Sequence, residues 1–349
     1  MNKIFFNLAI SLLIPTHLLG KNAKIAFFVP HQGLRGTEVA TYDYAHFNEI
    51  ILGNESVIVS VDTQIPSENE YHHTTVHDKF LKRFGQNFYH CKNFDEMNEL
   101  LKKLHVDIFY VLKAGDKDNK ISKVCKNAIH AVFPGNIEVH GDIYACISRW
   151  LASQRPHLKL PYVPHIVSLT ETKENLREKL GIPKHATVFG RHGGSTTFNI
   201  EFVHEAVKEV ASKRKNIFFV FLNTNPFCNL KNVIFLPGTA DIEYKTQFIN
   251  TCDAMLHARK QGETFGLACG EFSIKNKPII TWALSPEKAH IDILRSEGIY
   301  YKTKKDLLKI LYSFKKGQRK KCDAYSQFNP TKVMQKFNEI FIKPLVKSS

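Results

Sequence analysis

The sequence lacks the paired cysteines that a disulfide framework or a structural zinc site requires. Its seven cysteines are odd in number and scattered along the chain, and no two of them form a Cys-x-x-Cys pair. Cys146, Cys252 and Cys269 lie inside apolar runs, where cysteine usually behaves as a small hydrophobic residue. We therefore expect neither a bound metal nor a disulfide scaffold.

Acidic residues are also few. The chain has 33 Asp and Glu residues against 48 Lys and Arg residues, which gives a formal net charge of +15. Such an excess favours anionic partners, such as nucleotide phosphates, an acidic membrane surface or nucleic acid. Zinc-finger spacing, an aromatic RNA-binding signature and a helix-turn-helix pattern are all missing from the sequence. We therefore expect no nucleic-acid partner.

Long apolar runs are missing beyond the N-terminus. Ile4–Gly20 is mostly apolar but is interrupted by polar residues and a proline, so it is too short and too broken to predict a transmembrane helix. Residues 1–20 are a candidate signal or anchor segment, with an interfacial helix or a chance pattern as the alternatives. The localisation therefore stays open between cytoplasmic and membrane-associated.

What the sequence does contain is a regular alternation of strand-like and helix-like segments. The length of 349 residues suggests two domains, and the apolar content of 43% is ordinary for a globular protein. In the first half, a glycine-containing loop at residues 31–37 separates a predicted strand from a helix. Proline-rich residues 156–164 predict an interdomain hinge, after which we predict a helix at residues 171–180. The predicted strands span residues 24–30, 56–61, 108–112, 128–132, 143–148, 187–191, 217–222, 233–236, 254–258 and 279–282. This alternation predicts two α/β domains with doubly wound parallel sheets.

The most informative segment is Gln261–Phe272, which reads Q-G-E-T-F-G-L-A-C-G-E-F. It lies between two predicted strands, and we expect its helix to begin at about Thr264. A helix N-terminus presents unpaired amides and a partial positive charge, which suit a phosphate. Glu263 and Glu271 are eight residues apart, or about 12 Å along a helix. They suit a ligand that has hydroxyl groups at both ends and phosphate between them, as a sugar nucleotide does.

This segment resembles the donor-site signature of family 4 glycosyltransferases, which have the GT-B fold. The resemblance rests on E-x7-E, on Asp253 before the preceding strand, and on the following strand Lys277–Ile280. It implies that Glu263 lies against the donor sugar and that Glu271 binds the nucleotide ribose. The backbone amides implied to meet the phosphates or the sugar belong to Thr264, Phe265, Gly266 and Leu267.

Three more positions match that family less strongly. Arg191 resembles an arginine that contacts the donor diphosphate, although Thr197 stands where the family usually has a lysine. Arg35-Gly36-Thr37-Glu38 resembles its glycine-rich loop, in which Gly36 and Thr37 would approach the phosphate or the acceptor. His130 matches a histidine near the reacting sugar, with His140 as the alternative.

The resemblance implies two Rossmann-like domains that face a cleft. Residues 21–165 would form the acceptor-side domain, residues 166–328 the donor domain, and residues 329–349 a helix that packs back on the first domain. The implied activity is transfer of a hexose-type sugar from a nucleoside diphosphate to a glycan or lipid acceptor, with retention and without metal or cofactor. The alternatives are another GT-B enzyme, such as a nucleotide-sugar epimerase, and a non-catalytic sugar-binding protein.

A lysine-rich segment lies near the C-terminus. Residues 302–321 include nine Lys or Arg residues, with apolar residues at helical spacing between them. The pattern is compatible with peripheral association with an anionic membrane. The interpretation that we favour is a packed helix with a lysine-rich outer face.

Overall fold

The computed structural model describes residues 22–61, 73–135, 137–318 and 321–346. The candidate signal or anchor segment at residues 1–20 lies outside this part of the chain. Within it, the main strands form two parallel sheets that follow one another in sequence. Among these residues, no helix has the length and the apolar character that crossing a membrane requires.

The first sheet is doubly wound. Its strands, as far as the chain is described, are β1 (Lys24–Phe28), β2 (Glu55–Val61), β3 (Phe88–Cys91), β4 (Ile108–Lys113), β5 (Lys126–Ala131) and β6 (Ile143–Cys146). They pair in parallel in the order β3-β2-β1-β4-β5-β6. The strand order reverses between β1 and β4, and ligands of such sheets bind outside the carboxyl ends of the strands at this point.

The second sheet repeats this architecture. The remaining strands are β7 (Thr187–His192), β8 (Ile217–Leu222), β9 (Val233–Leu236), β10 (Ala254–His257), β11 (Gly262–Glu263), β12 (Ile279–Trp282), β13 (Glu287–Lys288) and β14 (Ile299–Tyr301). The sheet order is β14-β12-β10-β7-β8-β9, again parallel, whereas β11 and β13 form a separate short ladder. The predicted parallel α/β architecture is therefore confirmed.

Helices connect most of the strands. They are α1 (Gly36–Ile50), α2 (Thr74–Phe84), α3 (Phe94–Lys103), α4 (Arg149–Ser153), α5 (Glu201–Lys213), α6 (Ile242–Thr251), α7 (Leu267–Ile274), α8 (Ala289–Leu294), α9 (Lys304–Ser313) and α10 (Pro330–Phe337). A π-helical turn, Asn338–Ile342, continues α10. The amphipathic segment near the C-terminus forms α9, whose Leu307 and Leu311 are buried where it packs on α5. The apolar face of α9 is thus already covered.

The helix predicted at residues 171–180 is wrong, because residues 171–175 have no regular structure and residues 176–180 form a bend and a turn. Side chains of the second domain satisfy its backbone instead of helical hydrogen bonds. The Leu176 amide donates to Thr251 Oγ1 at 2.7 Å, and Asn250 Nδ2 donates to the carbonyls of Thr172 and Glu174, each at 2.9 Å.

The last helix packs on the first domain. The ring of Phe337 stacks on Tyr44 with centroids 5.1 Å apart and lies 5.2 Å from Tyr110. Phe341, in the π-helical turn, contacts His130 edge to face at 5.1 Å. The C-terminal helix and its π-helical turn therefore pack into the core of the first sheet.

Candidate functional site

A cleft of about 850 Å³ lies between the two domains. The loop before α1 and the faces of α1 and α2 form one wall. The opposite wall comes from the loops after β7 and β8, from α6, and from the start of α7. The two walls together include Arg35, Gly36, Glu38, Tyr42, Lys79, His192, Gly193, Asn223, Lys245, Leu267 and Glu271. Both walls therefore contribute positively charged side chains, which suits an anionic ligand.

Helix α7 begins later than the sequence suggests. Its first residue is Leu267, and Gly266 precedes it in the left-handed conformation with φ of +86°. The expected start at about Thr264 is therefore wrong by three residues. Thr264 and Phe265 form a buried bend, and the Phe265 ring packs against Tyr325 and other aromatic side chains. Of the four residues expected to present amides, Leu267 lines the cleft.

Glu271 lies on the cleft-facing side of α7 and is 2% exposed. Its carboxylate forms an ion pair with Lys245 of α6, and His192 Nε2 lies 2.9 Å from its second oxygen. Burial alone would raise the pKa of Glu271, but Lys245 and His192 lower that pKa to about 2. The carboxylate is thus ionised at any working pH and held in one orientation at the cleft wall.

Glu263 anchors a second polar network, at the end of β11. Its carboxylate accepts hydrogen bonds from Arg259 Nη1 at 2.9 Å and from His257 Nε2 at 3.2 Å. His257 Nδ1 then accepts from the Thr281 hydroxyl at 2.8 Å, and that hydroxyl accepts from His290 Nε2 at 3.1 Å. Burial opposes ionisation, but these partners lower the pKa of Glu263 to about 2.

Arg191 is 4% exposed at the end of β7. Its guanidinium donates to the Thr224 hydroxyl at 2.5 Å, the Gly194 carbonyl at 2.9 Å and the Asn223 carbonyl at 3.2 Å. It also donates to the hydroxyl of Thr197, the residue at the family's lysine position. Arg191 therefore holds together the two loops that border the cleft, and its side chain is already bonded within its own domain.

His130 lies in β5 and is fully buried. Its Nε2 donates to the Val163 carbonyl at 2.9 Å, and its Nδ1 accepts from the Tyr110 hydroxyl at 2.7 Å. Burial, together with the nearby His165, lowers the pKa of His130 to about 3, so the ring is neutral. Both ring nitrogens are therefore used inside the domain core.

His140, the alternative histidine, is also bonded within the first domain. Its Nδ1 donates to the Glu138 carbonyl at 2.6 Å, and its Nε2 accepts from Lys113 at 3.2 Å. It is 8% exposed. Both of its ring nitrogens therefore have partners within the first domain, as those of His130 do.

A second cavity of about 1010 Å³ opens at the carboxyl ends of β1, β4 and β5. This is the side of the first sheet where the strand order reverses. Its lining includes Val29, His31, Arg35, Thr37, Glu38, Lys113, Asp116, Asp118, Lys120 and Phe133. Thr37 thus faces this cavity, whereas Gly36 faces the interdomain cleft.

Solved structures with the same architecture cover nearly the whole chain. A glycosyltransferase from Rickettsia africae aligns with a TM-score of 0.68 at 16% identity, over 94% of this chain and 100% of that one. HepE from Anabaena, solved with UDP and glucose, aligns at 0.66 and 12% identity, over 91% and 99%. A putative UDP-N-acetylglucosamine 2-epimerase from Listeria monocytogenes aligns at 0.58 and 12% identity, over 90% and 94%. The chain has the GT-B fold. No protein-family model and no curated protein sequence matches it.

In this GT-B fold, the predicted site residues fall into separate groups. Gly36, Leu267 and Glu271 meet at the interdomain cleft, and Thr37 lines the adjoining cavity. The others lie outside the lining of both, namely Glu263, Thr264, Phe265, Gly266, Arg191 and His130.

Three basic residues of the cleft, His192, Lys245 and Lys79, were not predicted from the sequence. His192 directly follows Arg191, which the sequence does predict as a site residue. This adjacency is the signal that could have identified His192. Lys245 and Lys79 lie on helices for which the sequence gives no site pattern. Their positions depend on how the two domains face each other.

Replacing His130 with glutamine is expected to lower stability rather than activity. The change disturbs two buried hydrogen bonds, each worth about 1–3 kcal/mol when a buried partner is left unsatisfied. We expect the thermal midpoint to fall by several degrees, while the activity that the resemblance implies, release of nucleoside diphosphate, changes less than about threefold in the folded variant. A large loss of kcat without loss of stability would instead place His130 near the reacting sugar.

Proposed function

We propose that the protein is a glycosyltransferase that transfers a hexose-type sugar from a nucleoside diphosphate to a glycan or lipid acceptor. The observation that carries the proposal is the position of Glu271, ionised and oriented at the cleft wall beside the start of α7. A carboxylate there would accept hydrogen bonds from the ribose hydroxyls, and the first amides of α7 would face the diphosphate. The GT-B fold and the positive charge of the cleft support this assignment.

The diphosphate is proposed to leave with help from the chain's own positive groups. Lys245, Lys79 and Arg35 line the cleft and would offset the charge that develops on the leaving phosphate. Arg191 would act indirectly, because it fixes the loop Gly193–Gly194 at the same wall. Retention of the anomeric configuration and independence from metal are part of the proposal through the resemblance to family 4.

Glu263 is proposed to hold hydroxyl groups of the donor sugar. It follows β10 and precedes α7, so that a modest opening of its contact with Arg259 would present the carboxylate to a ligand. The His257–Thr281–His290 chain behind it fixes its orientation.

Peripheral membrane association also stays a prediction, and the lysine-rich outer face of α9 would carry it.

Two alternatives remain specific enough to test. A nucleotide-sugar epimerase is favoured by the structural similarity to the putative epimerase from Listeria monocytogenes. A non-catalytic sugar-binding protein is favoured by Thr197 at the lysine position. Product analysis with the donor alone separates them, because an epimerase converts the sugar nucleotide without an acceptor and a binding protein leaves it unchanged.

Sugar nucleotides are expected to stabilise the protein. A ligand that binds the folded state alone raises the stability by about 2.7 kcal/mol at 100 times its Kd. Thermal-shift measurements with UDP, GDP, ADP, UDP-glucose, UDP-N-acetylglucosamine, GDP-mannose and ADP-glucose would identify the base and the sugar. If none of these compounds raises the midpoint at millimolar concentration, the proposed donor site is wrong.

Replacing Glu271 with alanine should raise the KM for the donor about 10- to 100-fold and lower kcat less. Contacts to the ribose exist before and during the reaction, so that losing them weakens ground-state and transition-state binding alike. Glu243→Gln is a matched control, since Glu243 is an exposed acid on the helix that carries Lys245. Equal losses in kcat and kcat/KM would place Glu271 at the reacting centre instead.

A further inference from the structure

The two oxygens of Glu263 have different kinds of partner. Oε1 accepts a hydrogen bond from His257 Nε2 at 3.2 Å, and Oε2 accepts one from Arg259 Nη1 at 2.9 Å. The side chain of His257 is 5% exposed, whereas that of Arg259 is 27% exposed. One oxygen is therefore held from the core of the second domain, and the other is covered from the solvent side by an arginine.

His257 is fixed in place by its neighbours. It pairs in register with Thr281 of β12, whose hydroxyl donates to His257 Nδ1 at 2.8 Å. The Tyr301 hydroxyl donates to the His257 carbonyl at 2.9 Å. Among the described residues, the guanidinium of Arg259 has Glu263 as its one hydrogen-bond partner. A ligand that approaches Glu263 therefore displaces Arg259 more easily than His257.

A second glutamate near Arg259 has an oxygen without a partner. Glu287 lies on β13, opposite Gly262 in the β11–β13 ladder, and its amide donates to the Gln261 carbonyl at 2.9 Å. The residue is 4% exposed, and its Oε2 is buried and accepts no hydrogen bond from the part of the chain that the structure describes. A buried carboxylate oxygen without a donor is costly, because it has given up water and gained no bond in exchange.

Arg259 lies within electrostatic reach of both glutamates. Burial raises the pKa of Glu287; a Gln261 hydrogen bond and the charge of Arg259 act against this rise, and the charge of Glu263 adds to it. Arg259 also comes two residues before Gln261, whose carbonyl is bonded to the Glu287 amide. An arginine side chain has many rotamers and five N–H donors, so that it can turn from one carboxylate to the other.

We propose that Arg259 is the gate of the donor-sugar site: it covers Oε2 of Glu263 until a sugar hydroxyl binds there, and it then turns to Glu287. This inference rests on the proposed function. The sugar hydroxyl takes the place of the guanidinium on Oε2, while His257 stays on Oε1 and keeps the carboxylate oriented. The guanidinium pairs with the buried oxygen of Glu287. Glu287 is thus a positioning residue, which acts through Arg259 and does not contact the sugar.

The exchange removes the cost of opening the site. Without Glu287, the sugar would have to break the ion pair between Arg259 and Glu263 and leave the arginine without a carboxylate. With Glu287, one ion pair replaces another, and an unpaired buried oxygen gains a donor. A nucleoside diphosphate brings no sugar to Glu263 and leaves the gate where it is. The gate therefore favours binding of the sugar nucleotide over binding of the nucleoside diphosphate that the reaction releases.

A double-mutant cycle at pH 8 tests the gate. The Kd values of UDP-glucose, UDP-N-acetylglucosamine, GDP-mannose and ADP-glucose are measured by calorimetry for the wild type, Glu287→Gln, Arg259→Met and the double variant. Glu287→Gln should raise the Kd of the bound sugar nucleotide about 10-fold, the effect of one hydrogen bond between charged groups. Arg259→Met removes both the pair that breaks and the pair that forms, and should change the Kd less than about threefold. In its background, Glu287→Gln should have no further effect.

Three controls accompany the cycle. The same cycle with UDP, GDP and ADP should show no coupling between the two positions. Lys304→Met with Glu209→Gln is the matched pair, since these side chains form an ion pair of 3.4 Å between α9 and α5 of the same domain, and it should leave every Kd unchanged. Without ligand, the thermal midpoint of Glu287→Gln should equal or exceed that of the wild type, because the amide removes a buried charge that has no donor.

Three results would overturn the gate. A loss of sugar-nucleotide binding of more than about 10-fold in Arg259→Met would mean that Arg259 itself contacts the sugar. An equal effect of Glu287→Gln in both backgrounds, or none in either, would mean that it does not act through Arg259. A midpoint several degrees lower in ligand-free Glu287→Gln would mean that Glu287 already has a partner. Wild-type protein that binds none of the four sugar nucleotides would instead overturn the proposed function, and the gate with it, so that the two failures are distinguishable.

Discussion

Replacing Glu263 with glutamine is expected to lower kcat/KM for nucleoside diphosphate release by about 10³-fold, and Glu263→Ala should abolish turnover. The carboxylate is ionised throughout the working pH range, because Arg259 and His257 hold its pKa at about 2. Hydrogen bonds from sugar hydroxyls to a charged acceptor are roughly twice as strong as bonds to a neutral one. Glutamine keeps the shape of the side chain and removes this charge.

The measurement compares kcat, KM and donor Kd for both variants with those of the wild type, using the sugar nucleotide that gives the largest thermal shift. Glu205→Gln is the matched control, since Glu205 is an exposed acid of the same domain that pairs with Lys304 on the surface. Circular dichroism and the thermal midpoint show whether each variant folds. A folded Glu263→Ala protein with unchanged turnover and donor binding would mean that the donor-sugar assignment is wrong.

The strands of this fold are readily predicted from the sequence. Strands of a doubly wound parallel sheet are covered on both faces, and they therefore read as continuous apolar runs. Ile217–Leu222, Val233–Leu236 and Ile279–Trp282 agree with the prediction at both ends. The edge strand β3 contains the exposed His90, only its last residue is buried, and nothing in its local pattern distinguishes it.

Segments fixed by tertiary contacts are predicted less well. Residues 171–180 have the composition of a helix, but residues that are distant in the sequence complete their hydrogen bonds. Thr251 accepts from the Leu176 amide and from the Arg177 side chain, and Asn250 donates to the Thr172 carbonyl. The start of α7 is likewise displaced, because packing of Phe265 into an aromatic cluster keeps the preceding residues out of the helix.

The site is predictable in its residue types more than in its contacts. The E-x7-E spacing predicts Glu263 and Glu271 as candidate site residues. It does not predict the partners of Glu271, which are Lys245 on α6 and His192 on β7. The position of His130 on a central strand, between β4 and β6, explains why it is buried. A residue at this depth is part of the core whatever its type, and sequence spacing alone does not reveal the depth.

Replacing Gly262 with alanine is expected to destabilise the protein by about 3 kcal/mol or more, which corresponds to a drop of roughly 6–12 °C in the midpoint of the second domain. Gly262 has φ of +83°, and a Cβ at this position would lie 2.0 Å from the Glu287 carbonyl oxygen and 2.7 Å from the Ser285 Cβ. The nearest obstacle is a backbone atom, which cannot turn away as a side chain would. Gly262 also pairs with Glu287 in the β11–β13 ladder, so the clash separates the two strands.

Gly181→Ala is the control that separates backbone strain from this collision. Gly181 has φ of +63°, but no atom lies within 4 Å of a Cβ built there. Its substitution should therefore cost only the left-handed conformation, about 1–2 kcal/mol. Because Gly262 precedes Glu263, Gly262→Ala should also reduce donor turnover in the fraction that stays folded, whereas Gly181→Ala should not. Equal losses of stability in both variants would show that the ladder can open to accept a methyl group, and that β11 does not fix the position of Glu263.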